Sequence, residues 1–172
     1  LIDRISKVGF ELAGWFKMQS YYGYEKDPPE EVTRNVYRGP LPDKHIFAKL
    51  QDLDTRKIIT LCDESYAARQ TKEHCKARGL DHHHIPLSPF YSPTQEQIDN
   101  FLELLEERHK HPLYIHCIHG RDRTGAMIGI FRLSQGWTFD QAFAEMHKYC
   151  FDASFHRLVS AVKEYSKRGS SK

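Results

Sequence analysis

The stretch Tyr114-Ile115-His116-Cys117-Ile118-His119-Gly120-Arg121-Asp122-Arg123-Thr124-Gly125 gathers a nucleophile, basic side chains and two glycines in one place. A cysteine reacts as its thiolate, and its ordinary pKa of about 8.5 falls to about 3.5–7.5 at a helix N-terminus or beside cations. Pro112 to Cys117 is a short apolar run with an aromatic and a β-branched residue, which predicts a buried strand; Thr124 to Leu133 predicts a helix. The loop between them must turn tightly. It therefore aims several backbone N–H groups at one point, where the helix dipole adds positive potential, and such a concavity takes an oxyanion. The planar fork of Arg123 suits two phosphate oxygens and the charge of a phosphoryl group in transfer. Thr124 brings a hydroxyl able to donate to the sulfur when Cys117 becomes the leaving group, and Gly120 and Gly125 allow the positive φ or close packing of a tight anion nest. The chemistry read from these residue types is cleavage of a phosphate ester.

The spacing Cys-x5-Arg, with His116 before it and Thr124-Gly125 after it, resembles the signature of the cysteine-dependent protein tyrosine phosphatase superfamily, in particular its small atypical dual-specificity members. The resemblance covers the chain from Asn35 to Tyr165. It implies a phosphocysteine intermediate on Cys117, with phosphate bound by Arg123 and by the backbone amides of Ile118, His119, Gly120, Arg121, Asp122 and Arg123. It implies thiolate support by Thr124, and His116 matches the family's buried histidine that orders the loop. The layout, including Leu61-Cys62-Asp63-Glu64, is similar to plant and fungal atypical dual-specificity phosphatases that cleave inositol pyrophosphates.

Breaking a phosphate ester also requires a proton for the leaving oxygen. The family draws it from an Asp on the loop after the preceding strand, but here that loop, Ile85-Pro86-Leu87-Ser88-Pro89-Phe90-Tyr91-Ser92-Pro93, holds no acid. Asp122, inside the phosphate loop, is the first replacement; the alternative is that it caps the following helix or braces the loop. Asp63 and Glu64 stand second, with turn formation as their plain role. A phosphoanhydride, being a better leaving group, needs less acid assistance. His119 and Arg121 set two basic side chains on the loop rim, similar to loops that bind inositol phosphates and phosphoinositides; otherwise they are solvated loop residues.

Composition bounds these readings. A chain of 172 residues with 40% hydrophobic and 28% charged residues fits one domain with one sizeable core. A net charge of +2 suits an anionic, phosphorylated substrate without arguing for nucleic acid, for which no zinc-finger, helix-turn-helix or RNA-binding signature exists. His82-His83-His84 invites a metal site, but consecutive strand residues point to opposite faces and cannot converge on one ion, so structural histidines, no metal and no cofactor are expected. Cys62, Cys75, Cys117 and Cys150 show neither metal spacing nor a dense disulfide pattern, which fits a reducing compartment. Cys62 and Cys150 are read as buried packing residues, the alternative being a reversible disulfide that protects Cys117. No apolar run reaches the ~18 residues of a transmembrane span. The cytoplasm is the expected location, with secretion after leader removal as the alternative because the sequence begins at Leu1.

The elements that must position the loop follow from periodicity. Leu1 to Tyr24 carries an amphipathic helical pattern, expected to pack on the core, with peripheral membrane contact as its alternative. Lys26 to Glu31 reads as a proline linker, so residues 1–31 form a helical extension, 32–168 the phosphatase domain and 169–172 a disordered tail. Within the domain, Asn35 to Pro42 is expected as a short strand running into a turn, and further strands at Arg56 to Cys62 and Leu80 to Leu87, the last broken at Pro86 and Pro89. Helices are expected at Asp43 to Leu50, Ser65 to Arg78 with Gly79 as C-cap, from Thr94 and from Thr138 with capping boxes to Gln97 and Gln141, and at Ser154 to Ser166. Strands alternating with helices imply an α/β fold, a mainly parallel central sheet flanked by helices with ligands at the strand C-termini. The function expected is a phosphomonoesterase acting on inositol polyphosphates or phosphoinositides. The alternatives are a protein tyrosine or dual-specificity phosphatase and a phosphate-binding pseudophosphatase. The sequence carries no signal for oligomeric state.

Overall fold

The structure, a computed structural model, describes residues 28 to 169. The amphipathic pattern of Leu1 to Tyr24 and the tail after Gly169 lie outside the described residues. Five strands, β1 (Glu30–Thr33), β2 (Val36–Gly39), β3 (Lys57–Cys62), β4 (Asp81–Leu87) and β5 (Leu113–His116), form one sheet in the order β1-β2-β5-β3-β4. β2, β5, β3 and β4 are mutually parallel, and β1 pairs antiparallel with β2. The described helices are α1 (Lys44–Asp52), α2 (Ser65–Arg78), α3 (Gln95–Glu106), α4 (Asp122–Ser134), α5 (Phe139–Lys148) and α6 (His156–Gly169).

The central strands β3 and β5 are buried at every position, as expected of parallel strands covered on both faces. On one face Ile46, Phe47 and Leu50 of α1 and Cys75 of α2 pack over Ile58 and Tyr114. On the other, Ile59, Leu61, Leu113 and Ile115 meet Phe101 and Leu105 of α3 and Met127 and Phe131 of α4. α4 is buried from Asp122 to Arg132, because its other side packs against α5 and α6. The helix starts follow their signals: Asp43 accepts from the amides of His45 and Ile46, and Thr94–Gln97 and Thr138–Gln141 are reciprocal capping boxes. Gly79 ends α2 at φ 66°, a left-handed C-cap.

Three boundaries differ from expectation. Glu30 and Glu31 belong to the sheet, paired with Arg38 and Tyr37, so the linker ends sooner than residue 31; Pro28 and Pro29 precede the strand and remove no ladder bond. Pro86 does not break β4, since β4 is an edge strand and the ladder shifts register between Thr60 and Cys62. α6 continues to Gly169, into the first residue of the expected tail. None of the helices among the described residues is long and apolar enough to cross a membrane.

Candidate active site

The C-terminal ends of the four parallel strands converge on one loop. β5 delivers Cys117, whose residue surface is 2% exposed, and the chain reaches α4 at Asp122 after a turn in which Gly120 adopts φ 69°. That positive φ is a glycine use expected from sequence, whereas a Cβ on Gly125 would meet Phe151 at 3.4 Å, an ordinary contact, so close packing does not demand glycine there. β2 and the turn after it hold the loop from outside. Arg38 Nη2 donates to the Gly120 carbonyl at 2.7 Å, and the Leu41 amide donates to the Ile118 carbonyl at 3.0 Å. Arg38 is itself 1% exposed and lies with its guanidinium carbon 3.9 Å from the Tyr149 ring centroid. Sequence reasoning assigned Arg38 no task; the available signal was a charged residue inside an otherwise apolar strand.

β3 delivers Asp63 and Glu64 to Arg123. Arg123 Nη1 donates to Asp63 Oδ1 at 2.8 Å, Glu64 Oε2 at 2.8 Å and the Leu87 carbonyl at 3.2 Å, while Nη2 donates to Glu64 Oε1 at 3.1 Å. Burial works against the Glu64 charge, but the hydrogen bonds from Arg123 outweigh it and hold the carboxyl below its ordinary range. A carboxyl kept ionised is a poor proton donor, so Glu64 is a partner of Arg123 and not a replacement acid. Burial likewise opposes the Arg123 charge and is offset by Glu64, so the guanidinium stays charged. With the Nη1–Nη2 edge taken up by Glu64, the Nε–Nη2 fork is the edge that suits a phosphate.

Asp122 stands at the first turn of α4 and makes no side-chain cap there; its Oδ1 accepts from the Asp152 amide at 2.8 Å. The bracing role is therefore realised and the capping role is not. Burial pushes its carboxyl above the ordinary range, the direction a proton donor needs. The Thr124 hydroxyl is fully buried and has no hydrogen-bond partner among the described residues, so the bond to sulfur expected from sequence is not formed in this structure. His119 is held below the usual histidine range by burial and by Arg121, so near neutral pH the rim carries one cation there, not two.

His116 is completely buried, with Nδ1 3.0 Å from the Cys117 carbonyl and Nε2 2.8 Å from Thr60 Oγ1. Burial takes its pKa down to about 4. Of the three consecutive histidines, the rings of His82 and His84 stack on one another, while His84 Nε2 bonds the Cys62 carbonyl. The four cysteines form no disulfide. Cys62 is buried, and desolvation, aided by Cys117, pushes its thiol up to about 12; Cys150 is exposed, contrary to the packing role expected. The acid-free loop after β4 carries Phe90 and Tyr91, exposed at 70% and 73%, and Ser92 Oγ in it donates to the Arg157 carbonyl.

A strand, a tight loop carrying Cys117 and Arg123, and a buried helix starting at the loop define a cysteine phosphatase type of site. The sequence model of the tyrosine phosphatase family matches residues 30–165, and the chain belongs to that family. Among curated relatives it is similar to inositol diphosphatase DSP4 of Arabidopsis thaliana, 30% identical over 122 residues, covering 69% of this chain and 61% of the relative. It is similar also to inositol diphosphatase SIW14 of Saccharomyces cerevisiae, 28% identical over 132 residues, covering 72% of this chain and 47% of the relative. The chain thus spans less than two thirds of the length of these relatives. The crystal structure of the core catalytic domain of the PP-IP phosphatase SIW14 from S. cerevisiae superposes with a TM-score of 0.70 at 25% identity, covering 84% of this chain and 93% of that one. The Tk-PTP structure in its active form gives a TM-score of 0.71 at 21% identity over 83% of this chain and 99% of that one, a likeness of fold.

Proposed function

We propose that the chain is a phosphohydrolase working through a phosphoryl group carried on Cys117, with an inositol phosphate bearing a diphosphate group as its substrate. The Cys117 thiolate attacks phosphorus in line, forming the S–P bond as the bond to the leaving oxygen breaks. Arg123, through its Nε–Nη2 fork, and the amides of Ile118, His119, Gly120, Arg121, Asp122 and Arg123 hold the three remaining oxygens. Asp122 gives its proton to the leaving oxygen. Water then attacks phosphorus, its proton returns to Asp122, and the S–P bond breaks to release phosphate and the thiolate, to which the Thr124 hydroxyl donates. Arg121 faces the further phosphates of the substrate.

The observation that carries this reading is the Glu64 clamp, which fixes one edge of a charged Arg123 within the loop that begins at Cys117. The substrate class is supported by relatives named as inositol diphosphatases and by the acid-free Ile85 to Pro93 loop, since a diphosphate leaving group needs little protonation. The test is phosphate release from a panel of inositol diphosphates, inositol polyphosphates, phosphoinositides and phosphotyrosine peptides. Highest kcat/KM on the diphosphates supports the reading. A preference for phosphopeptides replaces the substrate, and phosphate binding with no turnover even of an activated aryl phosphate replaces the enzyme with a binding module.

A further inference from the structure

We propose that Thr60 and His82 are positioning residues for Cys117, joined through His116 in a one-way hydrogen-bond chain across three strands that sets the orientation of the Cys117 carbonyl. The proposal rests on Cys117 being the nucleophile assigned above.

The direction of the chain follows from counting protons. His116 Nδ1 lies 3.0 Å from the Cys117 carbonyl, which only accepts, so Nδ1 carries the ring hydrogen. In a neutral ring Nε2 is then bare, and the Thr60 hydroxyl 2.8 Å away must donate to it. That uses the single hydroxyl proton. The contact of 3.0 Å between Thr60 Oγ1 and His82 Nε2 must therefore be made by a hydrogen on His82. Every proton is assigned: His82 Nε2–H to Thr60, Thr60 O–H to His116, His116 Nδ1–H to the Cys117 carbonyl. The opposite tautomer of His116 would set a lone pair against that carbonyl and is excluded by it; the Thr60 hydroxyl, able to donate or accept, then donates to the bare Nε2.

The orientation matters because a trans peptide points its C=O and the following N–H in opposite directions. Turning the Cys117 carbonyl to His116 turns the Ile118 N–H away from it. The same logic runs along the loop, where Leu41 holds the Ile118 carbonyl and Arg38 holds the Gly120 carbonyl, so the amides of His119 and Arg121 are turned from those partners. Three carbonyls are thus held, those of Cys117, Ile118 and Gly120, by His116, Leu41 and Arg38. Removing the Thr60 hydroxyl frees the first of them. The titratable groups acting on the two rings are His84 and His83 from β4 and Lys72 from α2; Cys62 from β3 and Arg123 from α4 stand beyond them, beside Cys117. Burial acts first on both rings and takes each to about 4, so both are neutral at pH 7 as the counting requires.

The experiment is the rate of Cys117 alkylation by iodoacetamide against pH, with kcat/KM on an aryl phosphate measured alongside. Thr60→Val, which keeps shape and removes the hydroxyl, is expected to shift the alkylation profile to higher pH and lower kcat/KM by about 10- to 100-fold. Thr60→Ser restores both. His82→Leu, at a partly exposed site on an edge strand, shifts the profile in the same direction by less, and His82→Gln, which keeps an N–H donor, stays close to wild type. If Thr60→Val is too unstable to assay, the His82 pair decides. A folded Thr60→Val, or a His82→Leu, whose alkylation profile superposes on wild type overturns the proposal, as does a Thr60→Ser that behaves like Thr60→Val. A Cys117→Ser protein that hydrolyses the aryl phosphate as fast as wild type overturns the assignment of Cys117 itself, a separate failure visible before any Thr60 or His82 variant is made.

Discussion

Glu64 and Arg123 meet carboxylate to guanidinium through two bonds, Oε2 to Nη1 at 2.8 Å and Oε1 to Nη2 at 3.1 Å, from positions 59 residues apart. The pair fixes the plane of the guanidinium before any ligand arrives. Glu64→Gln removes the charge and one acceptor, so Arg123 loses its preset orientation. The expected result is a fall of about 10- to 100-fold in kcat/KM, most of it in KM for a phosphorylated substrate, measured by steady-state kinetics.

Cys117→Ser replaces a thiol by a hydroxyl that does not ionise in the accessible pH range. Turnover is expected to fall by at least about 1,000-fold, while inorganic phosphate or vanadate still binds within a few-fold of wild type by calorimetry. Loss of both together would mean that the loop had collapsed.

Asp122→Asn separates proton donation from bracing, because the amide oxygen still accepts from the Asp152 amide. Alkyl phosphate hydrolysis is expected to slow by about 100-fold or more, with a much smaller effect on an activated aryl phosphate or a diphosphate. Burial raises the Asp122 carboxyl, so its acid form persists above the ordinary value of 3.8 and is lost as pH rises through the raised one. The alkaline limb that this ionisation gives kcat with alkyl phosphates should be absent in the variant.

Gly39 has no room for a side chain: a Cβ there would stand 2.3 Å from the Tyr114 hydroxyl, which donates to the Pro40 carbonyl at 2.6 Å. Gly39→Ala should destabilise the fold by about 1–3 kcal/mol. Paired with Tyr114→Phe the loss should be less than the sum of the two single variants, read from denaturant midpoints.

His116 links stability to pH. Its folded pKa of about 4 lies below the ordinary histidine value of 6.5, so between those values the unfolded chain binds the proton and the folded one does not. Stability is full above pH 6.5 and is lost as pH falls towards 4. The slope from this residue is up to about 1.4 kcal/mol per pH unit, and His116→Gln should flatten the plot of unfolding free energy against pH between 6.5 and 4 by that amount.

What the sequence determined by itself was local. Cys-x5-Arg, the glycines, the capping threonines and the apolar runs are fixed by covalent spacing and by the 2.0 and 3.6 periods, so the alternation of strands and helices, the loop and the positive φ of Gly120 were all legible. What tertiary structure decided is which distant groups close on that loop. Glu64 on Arg123, Arg38 on Gly120 and Thr60 on His116 span 59, 82 and 56 residues. They exist because the β2-β5-β3-β4 order brings four strand ends together, an order set by the joint packing of all the helices and carried by no single segment. The same reason explains what the sequence misassigned: β1 and Pro86 took their roles from being at sheet edges, and Glu64 took its own from the arginine it meets.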